Sequence, residues 1–452
     1  MMILKKIAKL LFNRVFYVIF AMAVQLGWLL TIFLRLAGYS RYMSFILDVI
    51  SILVVLKIVN RKINPSYKLA WTMLILCLPI FGLVLYLVFG RSRIAAYMQD
   101  RFNEMLMKSG NLLQTDPEIH DLLEAEDISA CNQSDYIYHN AGYPIHGNTT
   151  AEYFQVGDDM FPVLVRELEQ AQHYIFIEYF IIHDGVMWRT ILDILERKVQ
   201  EGVDVRLIYD DMGCLTTLPH KYYETMRSKG IKCQVFNPFR PILNIIQNNR
   251  EDHSLEKYLP HVWHPEAFEG DGYIQPFCDS PLDNETVGEN VYLNIINRAK
   301  RYVYICTPYL VIDNEMMTAL CLAAKSGVDV RLMTPGIPDK KLVFLLTQSY
   351  YEQLLEAGVK IYEYQPGFLH AKSFVCDDEI AVVGTINLDY RSLYLHFEDG
   401  VWIYRNQVIY DIKKDFTDTL EYCNPVSLEF CRGRNIAVRA MQSILRLFAP
   451  ML

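Results

Sequence analysis

The stretch Phe368–Ser392, FLHAKSFVCDDEIAVVGTINLDYRS, places polar groups at fixed intervals in an otherwise apolar, strand-like text. His370-x-Lys372 is followed after four residues by Asp377, and then by Gly384-Thr-Ile-Asn387. Residues two apart on an extended chain share a face, so His370 and Lys372 are predicted to stand side by side. Asp377-Asp378-Glu379 is predicted to turn the chain into a strand over Ile380–Val383. An imidazole beside an ammonium, with an Asn amide one hairpin away, suits a phosphodiester. The imidazole can attack phosphorus or protonate a leaving oxygen, while Lys372 and Asn387 hold the non-bridging oxygens. The plainer alternative is a His and a Lys that share an exposed strand face, because short motifs recur by chance. Asp377 also has a second reading, as a turn residue that pins the hairpin through backbone hydrogen bonds.

Working outward, the chain repeats itself. AQHYIFIEYFI (171–181) matches AKRYVYICTPYL (299–310) at an offset of 128. GVDVRLIYDD (202–211) matches GVDVRLMTPG (327–336) at 125, and YYETMRSKGIKCQVFNP (222–238) matches YYEQLLEAGVKIYEYQP (350–366) at 128. Apolar β-branched and aromatic runs alternate with helical patterns such as Leu192–Gln200 and Met316–Lys325, which reads as strand, helix, strand, helix, strand. The expected fold class is α/β, two lobes (151–270 and 271–431) of mostly parallel sheet flanked by helices and joined by right-handed crossovers.

The string HAKSFVCDDEIAVVGTINLDYRS resembles the C-terminal signature of the phospholipase D superfamily, HxKxxxxD followed by GSxN or GTxN. Residues 269–300, 307–341 and 395–404 resemble one branch of it, the bacterial cardiolipin synthases. The resemblance implies His370, Lys372 and Asp377 as catalytic residues, and Lys372 with Asn387 as holders of the substrate phosphate. It implies phosphatidylglycerol as substrate, a phosphohistidine intermediate, cardiolipin and glycerol as products, and no metal or other cofactor. Pro308 and Tyr309 are expected at the pocket mouth. Glu178 and the pair Asp210-Asp211 fall where the family carries acidic residues, with a structural role at a strand end the plainer reading.

In the family each lobe supplies one HxKxxxxD. The offset therefore predicts a first His-x-Lys at or somewhat after position 242, and none is there. Between Ile242 and Gly270 stand His253, His261 and His264 with the single lysine Lys257. PFRPILNIIQNNR (238–250) reads like the family just before the motif and EGDGYIQ (269–275) like the family well after it. The first lobe is thus expected to be truncated. Three functional classes follow: a synthase that completes its site by pairing two C-terminal lobes in a homodimer, a catalytically impaired relic that binds anionic phospholipid, and a nucleic-acid phosphodiesterase. The net charge of −9 argues against nucleic acid as a partner, since phosphate-backbone binding wants a basic surface.

The 452 residues are 52% hydrophobic and 21% charged, which predicts a membrane anchor joined to catalytic lobes. Three apolar stretches, about Leu11–Leu34, Tyr42–Val59 and Leu69–Phe89, each approach the ~20 residues that cross a bilayer. Residues 1–93 are expected to form a multi-pass anchor in the bacterial plasma membrane, followed by a linker over 94–150. Residues 64–92 also resemble the anchor of the family. Lysines and arginines after each stretch leave the orientation open between two arrangements. Ten scattered cysteines without CxxC point to a reducing compartment rather than disulfides or zinc. The tail, 432–452, alternates Arg432, Arg434, Arg439 and Arg446 with apolar residues. It is expected to be an amphipathic helix, lying on anionic lipid or packed on the domain.

Overall fold

The computed structural model describes residues 20–27, 40–61, 63–90, 113–236, 270–282 and 285–451. The calls on His253, Lys257, His261 and His264 lie outside them, as does most of the first apolar stretch. The described chain divides into two units, one built on residues 154–236 and the other on 21–153 with 270–451.

The smaller unit opens with helix α6 (Gly157–Gln170) and then alternates β1 (Tyr174–Tyr179), α7 (Val186–Gln200), β2 (Asp204–Asp210), α8 (Tyr222–Ser228) and β3 (Lys232–Phe236). The strands pair in parallel in the order β1-β2-β3. The apolar stripe of α7, Ile191, Ile194 and Leu195, closes over Val205 and Leu207 of β2. This burial holds the layers together, at roughly 1.5–3 kcal/mol for each large aliphatic side chain.

The larger unit contains an eight-stranded sheet in the order β13-β8-β7-β5-β9-β10-β12-β4. Its strands are β4 (Tyr273–Asp279), β5 (Tyr302–Cys306), β7 (Asp329–Pro335), β8 (Lys360–Tyr364), β9 (Ser373–Cys376), β10 (Ile380–Gly384), β12 (Glu398–Tyr404) and β13 (Cys423–Pro425). A separate two-residue ladder joins β6 (Leu310–Val311) to β11 (Leu388–Asp389). Helices α9 (Val287–Arg298) and α10 (Asn314–Lys325) cover one face, packing Tyr292, Ile295 and Leu320 against Phe374, Val382 and Trp402. Helix α14 (Val408–Thr419) covers the other with Ile409, Ile412 and Phe416.

This sheet corrects the expectation of mostly parallel strands. Only β5-β7 and β7-β8 run parallel; the remaining neighbours are antiparallel. The cause is local. The turn at Asp377–Glu379 is too short for a crossover and can only fold β9 back on β10. Asp377 and Asp378 sit at φ 56° and 64°, the two left-handed positions that a tight hairpin turn demands and that Asp tolerates better than most residues.

Residues 94–150 were expected to be a linker, and their described part is not. Helices α4 (Pro117–Glu126) and α5 (Ile128–Ala141) bury Leu123, Ala130 and Ile137 in the main core. Gln133 Nε2 donates to Val291 O (3.3 Å), Arg298 pairs with Asp127 (2.8 Å), and His146 bridges to Ile274. These long-range partners carry no local signal, which is why a polar text reads as a linker.

The apolar N-terminal segments are also rearranged. Among the described residues no helix is long and apolar enough to cross a membrane. The third stretch is two helices, α2 (Pro65–Cys77) and α3 (Pro79–Phe89), hinged at Leu78. Proline has no N–H and forces its predecessor out of the helical region, and Leu78 lies at φ −131°, ψ 73°. The pair folds back tightly: a Cβ on Gly82 would meet Ile75 Cα at 2.7 Å. Arg61 donates to Gly90 O (3.0 Å), so the two ends of the hairpin meet. With α1 (Ser40–Val59) it encloses Ile58, Ile75, Leu83 and Tyr86.

Candidate active site around His370 and Lys372

His370 and Lys372 lie in the extended segment that enters β9, not on the ladder itself. Lys372 O still accepts from Gly384 N (3.3 Å), so the pairing with β10 runs one residue past the strand. Lys372 is 9% exposed and its ammonium donates to the backbone carbonyl of His370 at 2.6 Å. Burial pulls its pKa down to about 8, against the opposing pull of the Glu398 carboxylate. Burial and the neighbouring Lys372 charge likewise lower the His370 pKa, which favours its neutral imidazole. The ring is tilted against Phe368 (centroids 5.6 Å apart), which lies near Tyr309. Tyr309 donates to Asp339 (2.6 Å), whose charge acts on His370.

The Gly-Thr-Ile-Asn segment explains itself residue by residue. A Cβ on Gly384 would strike Asp399 O at 2.2 Å, so only glycine lets β10 approach β12 this closely. Thr385 Oγ1 accepts from Asp399 N (2.9 Å) and locks the crossing. Leu388 N donates to Thr307 Oγ1 (3.1 Å), which together with the β6-β11 ladder draws the Thr307–Tyr309 strand end beside Asn387. Asn387 Nδ2 donates to Ser392 Oγ (2.8 Å), while its buried Oδ1 has no partner. A hydroxyl donates as readily as it accepts, and the amide's two ends are interchangeable. With Ser392 donating to the oxygen, the amide nitrogen becomes the buried end without a partner.

The structure separates Asp377 from this group. Asp377 stands at the far end of β9, roughly 16 Å along an extended strand from Lys372. Its Oδ1 accepts from Arg301 N (2.9 Å) and Tyr302 N (2.8 Å), and its Oδ2 from Lys300 N (2.6 Å). Arg301 also reaches the Asp377 carbonyl. Asp377 is therefore a positioning residue that ties the hairpin turn to the start of β5, and its reading as a catalytic residue is corrected.

One participant escaped the sequence reading. Glu398, at the start of β12, holds the charge that raises proton affinity at both His370 and Lys372. Its side chain is 8% exposed and lies 3.4 Å from His396 Nδ1. Lys372 is bonded to Gly384, Gly384 is paired with Gly400, and Glu398 is two residues on. Asp389, half-buried and with its carboxyl pKa raised by desolvation, caps helix α13 (Tyr390–Tyr394) by accepting from Ser392 N (2.8 Å). In the smaller unit, Asp210 accepts from Gly213 N (2.7 Å), a strand-end role, and Glu178 pairs with Ile208 across β1 and β2.

Among the described residues, His120, Cys131 and Asp135 bring possible metal ligands within 4.8 Å. Burial pushes the Cys131 thiol up to about 11, and His120 is occupied by Asp135 (3.1 Å). The trio reads as a hydrogen-bonded packing cluster of α4 and α5.

Comparison with known proteins gives the family. Residues 292–420 match the family described as cardiolipin synthase, PLD-like domain, and residues 46–91 match phospholipase D-nuclease N-terminal. A cardiolipin synthase of Geobacillus kaustophilus is 30% identical over 90% of this chain and 92% of its own. The chain belongs to the cardiolipin synthases of the phospholipase D superfamily. A family relative in Streptococcus mutans, an uncharacterized protein, is 37% identical over 461 residues, covering 88% of this chain and 99% of its own. An alignment longer than the 452-residue chain that still leaves part of that chain unused must pass over positions where this chain has no residue. The crystal structure of phosphatidylserine synthase from Haemophilus influenzae shares the fold, with a TM-score of 0.52 at 13% identity over 72% of this chain and 98% of that one.

Proposed function

We propose that this protein transfers a phosphatidyl group between two phosphatidylglycerols at the bacterial plasma membrane, giving cardiolipin and glycerol. The observation that carries this reading is His370 set two residues from a buried Lys372 whose ammonium bonds the His370 carbonyl, with Asn387 on the adjoining segment. His370 attacks phosphorus, the bond to the glycerol oxygen breaks, and a proton is delivered to that oxygen as glycerol leaves. The primary hydroxyl of a second phosphatidylglycerol then attacks the phosphohistidine, gives up its proton and releases His370. Lys372 and Asn387 stabilise the phosphoryl oxygens in both steps. The acidic net charge supports lipid over nucleic acid as substrate, and the N-terminal family match supports a membrane-associated protein. We read the strands that begin at Tyr174, Asp204 and Lys232, and at Tyr302, Asp329 and Lys360, as two copies of one unit.

The acid that protonates glycerol is the second histidine of the family, and residues 242–270 contain no His-x-Lys to supply it. We assign it to His370 of a second copy in a homodimer. The same gap favours a second reading, a phospholipid-binding relic in which turnover is lost, because removing one member of a catalytic unit removes most of its activity. The deciding experiment is cardiolipin formation from phosphatidylglycerol in mixed micelles, beside His370→Ala. Product that disappears in the variant, with specific activity rising as protein concentration rises, supports the dimeric synthase. No product from either protein leaves the relic.

A further inference from the structure

The last helix of the chain, α16 (Ile436–Phe448), is turned the unusual way round. The polar Gln442 is buried at 7% exposure and donates to Leu345 O (3.1 Å). Ile436, Met441 and Ile444 are 86%, 47% and 54% exposed. On a helical wheel these three share one face, with Arg439 and Arg446 along its flank. A helix packed on its domain by its apolar stripe would show the reverse. The tail is thus amphipathic as its sequence predicts, but while Leu445 packs against the core, the Ile436, Met441 and Ile444 part of its apolar face looks away from the domain.

Beneath the arginine flank is a cavity of about 180 Å³, between α16 and helix α12 (Tyr351–Glu356). Arg434, Arg439 and Arg446 line it, with Ser349, Ser443 and Glu352. The arginines are held in place: Arg434 stacks over Phe430 (4.8 Å to the ring centroid) and Arg446 over Tyr350 (4.5 Å). Arg446 also donates to Gln353 (3.1 Å). The one acid, Glu352, is engaged by Arg432 (3.3 Å) and stands 3.9 Å from Arg439. The cavity therefore keeps an excess of guanidinium charge at every accessible pH, in the planar fork that matches phosphate oxygens. None of these side chains belongs to the group around His370.

We propose that this cavity is a second, non-catalytic lipid site that takes the phosphate of an anionic phospholipid headgroup while the apolar face of α16 meets the acyl chains. The juxtaposition favours a lipid over a free phosphate: the charged cavity and the exposed apolar face adjoin on one helix, as a molecule with a charged head and an apolar body requires. The site does not depend on the transferase reading, and its test reads binding alone.

The full chain carrying His370→Ala, purified in a neutral maltoside detergent, is titrated with phosphatidylglycerol or phosphatidylcholine and bound lipid is counted by native mass spectrometry. Retained phosphatidylglycerol, with phosphatidylcholine bound at least tenfold more weakly, is expected. Adding Arg434→Gln and Arg439→Gln is expected to remove one bound phosphatidylglycerol without changing the melting temperature. Ile436→Asp with Ile444→Asp, both on exposed positions, is expected to weaken long-chain phosphatidylglycerol but leave the short-chain dihexanoyl lipid unaffected, which keeps the test open if the arginine variant misfolds. Equal binding of the two lipids, an unchanged count in the arginine variant, an acyl-independent effect of the aspartates, or displacement by millimolar inorganic phosphate would each overturn the proposal.

Discussion

His370 and Lys372 set the expected pH dependence of the reaction. Cardiolipin formation is expected to rise as the attacking His370 gives up its proton, and to fall as the second copy's His370 loses the proton it donates and, near pH 8, as Lys372 loses its charge. Glu398→Gln removes a carboxylate that favours both charged forms, so both limbs move to lower pH; initial rates between pH 5 and 9.5 measure this. A basic limb that stays in place would remove Glu398 from the site. Asp377→Ala acts differently. It strips acceptors from three backbone N–H groups at the start of β5 and is expected to cost about 3–5 kcal/mol of unfolding free energy. Below its melting temperature the variant keeps its pH profile, because Asp377 does not reach the reacting phosphate. His370, Lys372 and Asn387 are legible in the sequence because their intervals map directly onto an extended segment and a hairpin. Glu398 is not legible, since only the antiparallel pairing of β10 with β12 brings it back to Lys372, and no local spacing encodes that pairing.

Alternation of apolar strands and helical stripes is a local property, so β1 through β3, and β5, β7 and β8, could be read in advance. Strand direction beyond a hairpin is not local, and the antiparallel half of the larger sheet emerges only from long-range pairing. Helices α2 and α3 show the same limit. Their text is one apolar run long enough for a span, yet Pro79 and the small Gly82 convert it into a hairpin. Gly82→Ala pushes a methyl against Leu74 O and Ile75 Cα and is expected to destabilise the helix cluster by about 1–3 kcal/mol. Scanning fluorimetry in detergent, beside the unobstructed Gly157→Ala, measures the loss. Equal melting of the two variants would mean that the hairpin is not this tight.

At the scale of the molecule, the helix hairpin is joined to the catalytic lobe through a buried polar cluster. Asn64 donates to Asp313 and to Tyr394 OH (2.9 Å each), and Tyr394 OH lies 2.6 Å from Glu289 and 2.7 Å from Asp313. Tyr390, on the helix whose Ser392 meets Asn387, bonds Ser66 (2.9 Å). Burial and the adjacent Asp313 charge push Glu289 up to about 8. An unfolded glutamate loses its proton near pH 4.5, so between there and pH 8 the native protein holds a proton that the unfolded chain has lost. Its contribution to stability is complete below that window and declines as pH rises through it. Melting temperatures measured from pH 5 to 8.5 are expected to fall from this cause, with a shallower slope in Glu289→Gln; parallel slopes would assign the decline elsewhere. The meeting of Arg61 with Gly90 has a last consequence, one of parity. A segment that returns to its starting point adds nothing to the tally of bilayer passages, whatever its hydropathy. Gly90 is therefore expected on the side of the bilayer that Arg61 faces. With Cys77 and Cys278 changed to serine, an impermeant thiol reagent should reach Asn60→Cys and Leu113→Cys from one and the same side of the cell membrane.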